Sequence, residues 1–235
     1  FSDQYNQFGQ LSLAEDGVDY HDNPEMVSPG TYLSITYVHH NHAGKFTSDL
    51  RSMDHDLQVW EVEVTGKDLD QAAVLNWSFP QPTGQNMEVI LLDDLNRKTI
   101  SMKDRQQLEL GMISDRFPRK LHIVSGPQEL VHGKISELLA AIPEQFVLHQ
   151  NYPNPFNPST TLRFGLPEPS KIEFRIINIL GQEVATIYSG WKDMGFHEFR
   201  WSGQNDMGQP VSNGVYFAIL SNGRDMQVRK MLLVK

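Results

Sequence analysis

The sequence has no cysteine, so disulfides, thiolate metal sites and cysteine nucleophiles are excluded. That absence suits a cytosol and an exported bacterial protein equally. No apolar run approaches the roughly 18 residues that a membrane-spanning helix requires. Runs such as residues 89–92 and 231–234 have the length of strands. Basic residues are in deficit, 20 Lys and Arg against 29 Asp and Glu, giving a net charge of −9. That balance argues against a nucleic-acid partner, which is held by cations that displace phosphate counterions. The chain begins at Phe1 without a basic or apolar leader. Such a start is expected of a piece of a longer parent, whose N-terminal remainder carries the main activity. Catalytic signatures are missing too. There is no Gly-x-Ser-x-Gly elbow, no His-Glu-x-x-His pair and no phosphate loop ending in Gly-Lys, so neither an enzyme nor a cofactor is expected.

What is present points to strands. Of the 235 residues 39% are hydrophobic, too many for a disordered chain, and the length makes two domains the default. Thirteen prolines, 17 glycines and 10% aromatics suit short strands and frequent turns. Before Gln145 there are 11 basic and 22 acidic residues, and after it 9 and 7, so the halves differ in sign. Six of the prolines fall between Pro143 and Pro169, where they stiffen the chain and deny ladder hydrogen bonds. These shifts divide the chain into an acidic β-sandwich over residues 1–142, a proline-rich linker over 143–158 and a second sandwich over 159–235.

In the second sandwich Ile172, Phe174 and Ile176 alternate with Lys171, Glu173 and Arg175, the period of a half-buried strand. Further strands are expected near residues 160–166, 182–188, 197–201, 215–220 and 226–234, separated by Asn-, Asp- and Gly-rich turns. In the first half, strands are expected over 31–39, 58–64, 73–79, 88–92, 107–113 and 120–124, after an irregular lead-in over 1–30. A short connector helix over 134–141 ends before Pro143. The fold class is all-β, two immunoglobulin-like antiparallel β-sandwiches in tandem.

Two segments carry physical meaning of their own. In Asn151, Tyr152, Pro153, Asn154, Pro155, Phe156, Asn157 and Pro158, three prolines fix φ and push the preceding residues towards extended conformations. The result is a semi-rigid strap that cannot join a central strand, with Tyr152 and Phe156 as anchors packed on a sandwich. It reads as a linker and edge-strand cover, or as a loop that touches a receptor. At the other end Lys230, Met231, Leu232, Leu233, Val234 and Lys235 form a last strand with an exposed end. Lysines guard such an edge against aggregation, and the same edge is a ready place for a partner to add a strand.

Other clusters read as structural. His39, His40 and His42, with Asp54, His55 and Asp56, resemble metal ligands, but adjacent strand residues face opposite ways, so no metal site is expected. Asp16, Asp19 and Asp22 lack the Gly and Glu placement of an EF-hand loop. Asp93 and Asp94 read as a solvated strand end whose carboxylates face apart. Trp60, Trp77 and Trp201 fall in alternating strands and read as core, whereas Trp191, expected in a loop, is the exposed candidate.

Five ordered blocks run from Phe146 to the chain end: the strap with its flanks, then IINILGQEV from Ile176, GFHEFRW from Gly195, GVYFAIL from Gly214 and RKMLLVK from Arg229. Together they resemble the C-terminal sorting domains of the type IX (Por) secretion system of Bacteroidetes-like bacteria. The immunoglobulin-like module of flagellar hook-capping proteins is similar in pattern without being a sorting signal. Residues 1–142 are more faintly similar to β-sandwich modules that precede such domains in surface proteins. The resemblance implies a non-catalytic address label on a secreted or cell-surface protein that passes through the periplasm. Its implied partners are the outer-membrane secretion machinery, which recognises the terminal strand and the strap, and a sorting peptidase. The alternative is an adhesive or carbohydrate-binding module in residues 1–142, merely delivered by the second sandwich.

Overall fold

A computed structural model describes residues 7–10, 32–38, 45–51, 56–79 and 87–235. The chain divides between Leu139 and Ala140 into two compact units, and its architecture is all-β, with one helix among the described residues.

The first unit contains β1 (Gln7–Gln10), β2 (Tyr32–Val38), β3 (Lys45–Phe46), β4 (Ser48–Arg51), β5 (Gln58–Lys67), β6 (Ala73–Asn76), β7 (Met87–Asp93), β8 (Lys98–Ser101), β9 (Gln107–Gly111), β10 (Arg119–Pro127) and α1 (Gln128–Ala141). Six strands form an antiparallel sheet in the order β3-β2-β5-β10-β7-β8. Two short pairs accompany it, antiparallel β6-β9 and parallel β1-β4.

Strand alternation decides which residues meet across this unit. Trp60, Val62 and Val64 of β5 join Val89, Leu91, Leu121 and Ile123 in a core that also takes Leu108 and Leu110 from β9. Phe8 closes edge-on against Trp60 at 5.2 Å. The intervening residues Val59, Ile90, Leu92 and Val124 face the other way, onto Val131, Ile135, Leu138 and Leu139 of α1. That spacing is one stripe of a helix. The helix is thus a packed layer and not only a connector, and it starts six residues before the expected position. The mid-helix Gly133 and polar neighbours hide that start from a reading of periodicity. It stops where the residue before Pro143 must leave the α region.

Asp93 and Asp94 depart from expectation. They are 0% and 5% exposed, not a solvated end. Their carboxylates do face apart. Asp93 receives Arg119 Nη2 at 2.6 Å and Asn96 Nδ2 at 2.9 Å, and Asp94 lies 2.9 Å from His122 Nδ1.

The second unit contains β11 (Val147–Leu148), β12 (Thr160–Leu166), β13 (Ser170–Asn178), β14 (Glu183–Lys192), β15 (Gly195–Trp201), β16 (Gly214–Ser221) and β17 (Met226–Leu233). They form two sheets, β11-β12-β15 and β14-β13-β16-β17, with antiparallel neighbours throughout. Inward residues from both sheets fill the space between them. Leu162, Phe164 and Leu166 of one layer meet Ile172, Phe174, Ile176, Ala218 and Leu220 of the other, and the rings of Phe164 and Phe174 stand edge to face at 5.5 Å. This is an immunoglobulin-like sandwich. Asn178, Asn205 and Asn222 close three of its turns by accepting backbone N–H groups two residues on.

The Asp93–Arg119 pair lies in the dry interior, where losing one partner leaves an uncompensated charge. Arg119→Ala is expected to lower the stability of the chain by about 3–5 kcal/mol, whereas joint replacement by Asp93→Leu and Arg119→Met costs less. Urea unfolding of the three proteins measures this, and equal losses would contradict it.

Candidate functional site

Strand β17 is the last of its sheet, paired with β16 on one side only. Its residues alternate in burial. Met231 and Leu233 are sealed in the core, while Lys230, Leu232 and Val234 are exposed. In an antiparallel pair alternate residues turn both backbone groups away from the partner, so an edge strand presents a row of unpaired donors and acceptors.

Here that row is taken by the proline strap. The N–H of Phe156 donates to Leu232 O at 2.9 Å, and the N–H of Val234 donates to Phe156 O at 3.0 Å. Phe156 and Leu233 form a parallel bridge. One step earlier the Asn154 carboxamide replaces a peptide group: its Oδ1 accepts from Leu232 N at 2.9 Å and its Nδ2 donates to Lys230 O at 3.3 Å. Gln150 Nε2 donates to the same Lys230 carbonyl at 2.9 Å. The end of the chain is tied as well, through Lys235 N to Asn213 Oδ1 at 3.0 Å and Lys235 Nζ to Val211 O at 2.7 Å. The outward backbone groups from Lys230 O to Val234 N are therefore all engaged.

The strap is itself held at several points. Tyr152 and Thr161 exchange backbone hydrogen bonds at 3.1 and 2.9 Å. Asn151, 2% exposed, donates from Nδ2 to Thr160 Oγ1 at 2.9 Å and to Pro153 O at 3.0 Å. Thr160 Oγ1 donates in turn to Pro153 O at 2.8 Å. Phe156 is buried against Trp201 at 5.5 Å. Of the two expected anchors Phe156 packs inward, but the Tyr152 side chain is 81% exposed; that residue is fixed by its backbone. Gly203 allows the close approach beneath the strap. It has φ +67°, and a Cβ there would meet Pro158 O at 2.9 Å.

The structure thus brings the strap and the tail, far apart in sequence, onto one surface. It adds Gln150, Thr160, Gly203, Val211 and Asn213, which the sequence reading left out. The turn-forming Ser212, Asn213 and Gly214 were visible, but not their contact with Lys235. Among the described residues no ion pair engages Lys230 or Lys235, whereas Arg163–Glu198 and Arg175–Glu183 are exposed pairs elsewhere on the unit. Burial raises the Tyr216 phenol above its usual pKa, and its O–H donates to Ser212 O at 2.7 Å.

The remaining candidates are separate from this surface. Trp60 and Trp201 are buried and Trp77 half-buried. Trp191 lies within β14, not in a loop, and is 39% exposed. The first unit carries an open recess of about 980 Å³ lined by Asn76, Trp77, Lys98, Arg105, Gln106 and Gln107 among others. The histidine cluster at 39–42, the positions Asp54 and His55, and Asp16, Asp19 and Asp22 lie outside the described residues. Among the described residues no group of three His, Asp or Glu could hold a metal ion, and no helix is long and apolar enough to cross a membrane.

Residues 154–222 match the FlgD Ig-like domain. The match is to a family and covers less than a third of the chain, from Asn154 in the strap to the turn before β17. The matched segment lies within the sandwich described above and leaves out β11 and β17. The comparison with curated proteins gives no match. Among solved structures, the chain is similar to PorZ of Porphyromonas gingivalis, described as an essential bacterial surface component of the type-IX secretion system. That alignment has 17% identity and a TM-score of 0.27, over 48% of this chain and 14% of that one. It is also similar to dimeric latent PorU of the same organism, with 15% identity and a TM-score of 0.30, over 77% of this chain and 18% of the other.

Asn151 is the node of the strap, and its loss removes its bonds to Thr160 Oγ1 and Pro153 O, which keep only their bond to each other. Asn151→Ala is expected to destabilise the domain by about 1–3 kcal/mol, read as an earlier thermal transition. An unchanged transition would show that the strap is held without this node.

Proposed function

We propose that the second unit is a type IX sorting signal, read by an outer-membrane translocon on the surface where strap and terminal strand meet. The observation that carries this reading is their convergence. The two segments through which the sequence resembles sorting domains are hydrogen-bonded to each other through Asn154, Phe156, Lys230, Leu232 and Val234. A label needs a rigid surface that survives folding in the periplasm, and a strand edge tied at four backbone groups supplies one. In this reading the unit performs no covalent chemistry, and it delivers the N-terminal remainder of its parent to the cell surface or the medium. A surface peptidase then removes it.

A second reading has one observation in its favour. The recess of the first unit gathers amide side chains and ions of both signs around an indole, the mixture of polar groups and aromatic wall that suits a polyhydroxylated ligand. Residues 1–142 would then be a carbohydrate-binding module delivered by the second unit. Binding on a glycan array that is lost on Gln107→Ala would support it.

Export of a reporter tests the first reading. The whole chain is placed behind a signal peptide and a fluorescent protein in a bacterium that possesses the secretion system. It is compared with a variant carrying Lys230→Glu, Leu232→Asp and Val234→Asp, which alters the exposed face of the tail but keeps Met231 and Leu233. Surface delivery is expected to fall about tenfold or more, which corresponds to 1.4 kcal/mol of recognition. Equal delivery of both would remove the tail from recognition. Retention of both in the periplasm would remove the sorting role.

A further inference from the structure

The contact between strap and tail has the form of a strand added to a sheet, but an incomplete one. A full neighbouring strand would face Lys230, Leu232 and Val234 with successive peptide groups. The strap offers the backbone of Phe156 alone. At the next step it substitutes the Asn154 side chain, whose rotamers must be frozen to make the pair. A visiting strand would supply the same bonds with its main chain.

The strap also ends the sheet. Pro153, Pro155 and Pro158 have no N–H, so they cannot donate to a further ladder beyond it. On the uncovered half of β17, Val228 O is already taken by the guanidinium of Arg229 at 2.8 Å.

We propose that the outer edge of β17 from Lys230 to Val234 is a strand-acceptor site that the chain keeps filled with its own residues 154–156. Lifting the strap opens the site to an extended segment of a partner protein, which pairs by main-chain hydrogen bonds. That the partner belongs to secretion machinery rests on the function proposed above; the site itself does not. The hinge side of the strap is the Tyr152–Thr161 pair and the Asn151 node, which stay in place. The moving side is Asn154 and Phe156. Recognition in this form has two stages, docking on exposed side chains and then exchange of the strap for the incoming strand.

Amide hydrogen exchange on the full chain tests the separable latch. Leu232 and Val234 donate to the strap, whereas Met231 and Leu233 belong to the pairs bonded to β16. If the strap lifts as a unit, the first two exchange through a local opening about tenfold or more faster than the second two. Asn154→Ala then accelerates Leu232 further while Met231 and Leu233 stay unchanged. Exchange of all four at one rate, in both proteins, would overturn the proposal, because the strap would then open only with global unfolding.

Acceptance of a strand is tested in a chain whose residues 151–157 are replaced by Gly and Ser, with a labelled synthetic peptide of residues 150–158 as the probe. Saturable binding, with renewed protection of Leu232 and Val234 or recovery of folding, is the expected result, and a peptide with Ala in place of Asn154 should bind about tenfold more weakly. No binding to a folded variant, or no rescue of an unfolded one, would overturn the acceptor role. None of these measurements uses the secretion system, so failed export with a positive peptide result would remove the sorting reading and leave this site standing.

Discussion

A sheet edge is a line of polar groups that must find partners, and the second unit is organised around satisfying one such line. The outward groups of β17 can be met by water, by another molecule or by the chain itself. From Lys230 to Val234 the chain meets them, and Phe156 makes that solution possible because it serves in two places at once. Its ring lies in the core beside Trp201, and its backbone holds Leu232 and Val234. Packing and edge closure are therefore one event. The absence of a side chain at Gly203 and the hydrogen-bonded node at Asn151 follow from the need to bring proline-rich backbone this close.

The first unit solves a different problem. Its six-stranded sheet is apolar on both faces, since β5 sends Trp60, Val62 and Val64 one way and Val59 the other. Each face therefore needs a cover. One receives the short β6-β9 pair and the other receives α1. At the end of the sheet polar side chains become trapped, and there the Arg119 guanidinium pairs with Asp93 while the His122 ring lies within hydrogen-bond distance of Asp94.

How much of this was legible in the sequence depended on how local the cause was. Six strands of the second unit are legible because alternation such as that of Ile172, Phe174 and Ile176 is bounded by turn residues, whereas β11, two residues long, falls inside the stretch taken as linker. Five strands of the first unit, β1, β3, β4, β6 and β8, have two to four residues, too few for a period to register in any but β6, which falls within the expected 73–79. Asp93 and Asp94 were misplaced because their burial depends on partners 26 and 28 residues away. The prolines announced a stiff strap, but not which of Tyr152 and Phe156 would turn inward. Nor could they reveal the bonds between Asn154 and the tail, which span 76 to 78 residues. Register between distant segments is a property of the folded sandwich and leaves no pattern in either segment alone.

Because the strap precedes β12 in the chain while closing the last strand, the position of a proteolytic cut decides the solubility of what is shed. Cleavage upstream of Phe146 releases a fragment whose border is finished and whose interior is full, because Leu148 belongs to that core and Phe146 packs on it. Cleavage just after Pro158 removes a phenylalanine from the interior and strips the border in the same stroke, leaving a fragment prone to stack on its own kind. The eight residues from Asn151 to Pro158 thus set where such a module can be trimmed without turning into an aggregate.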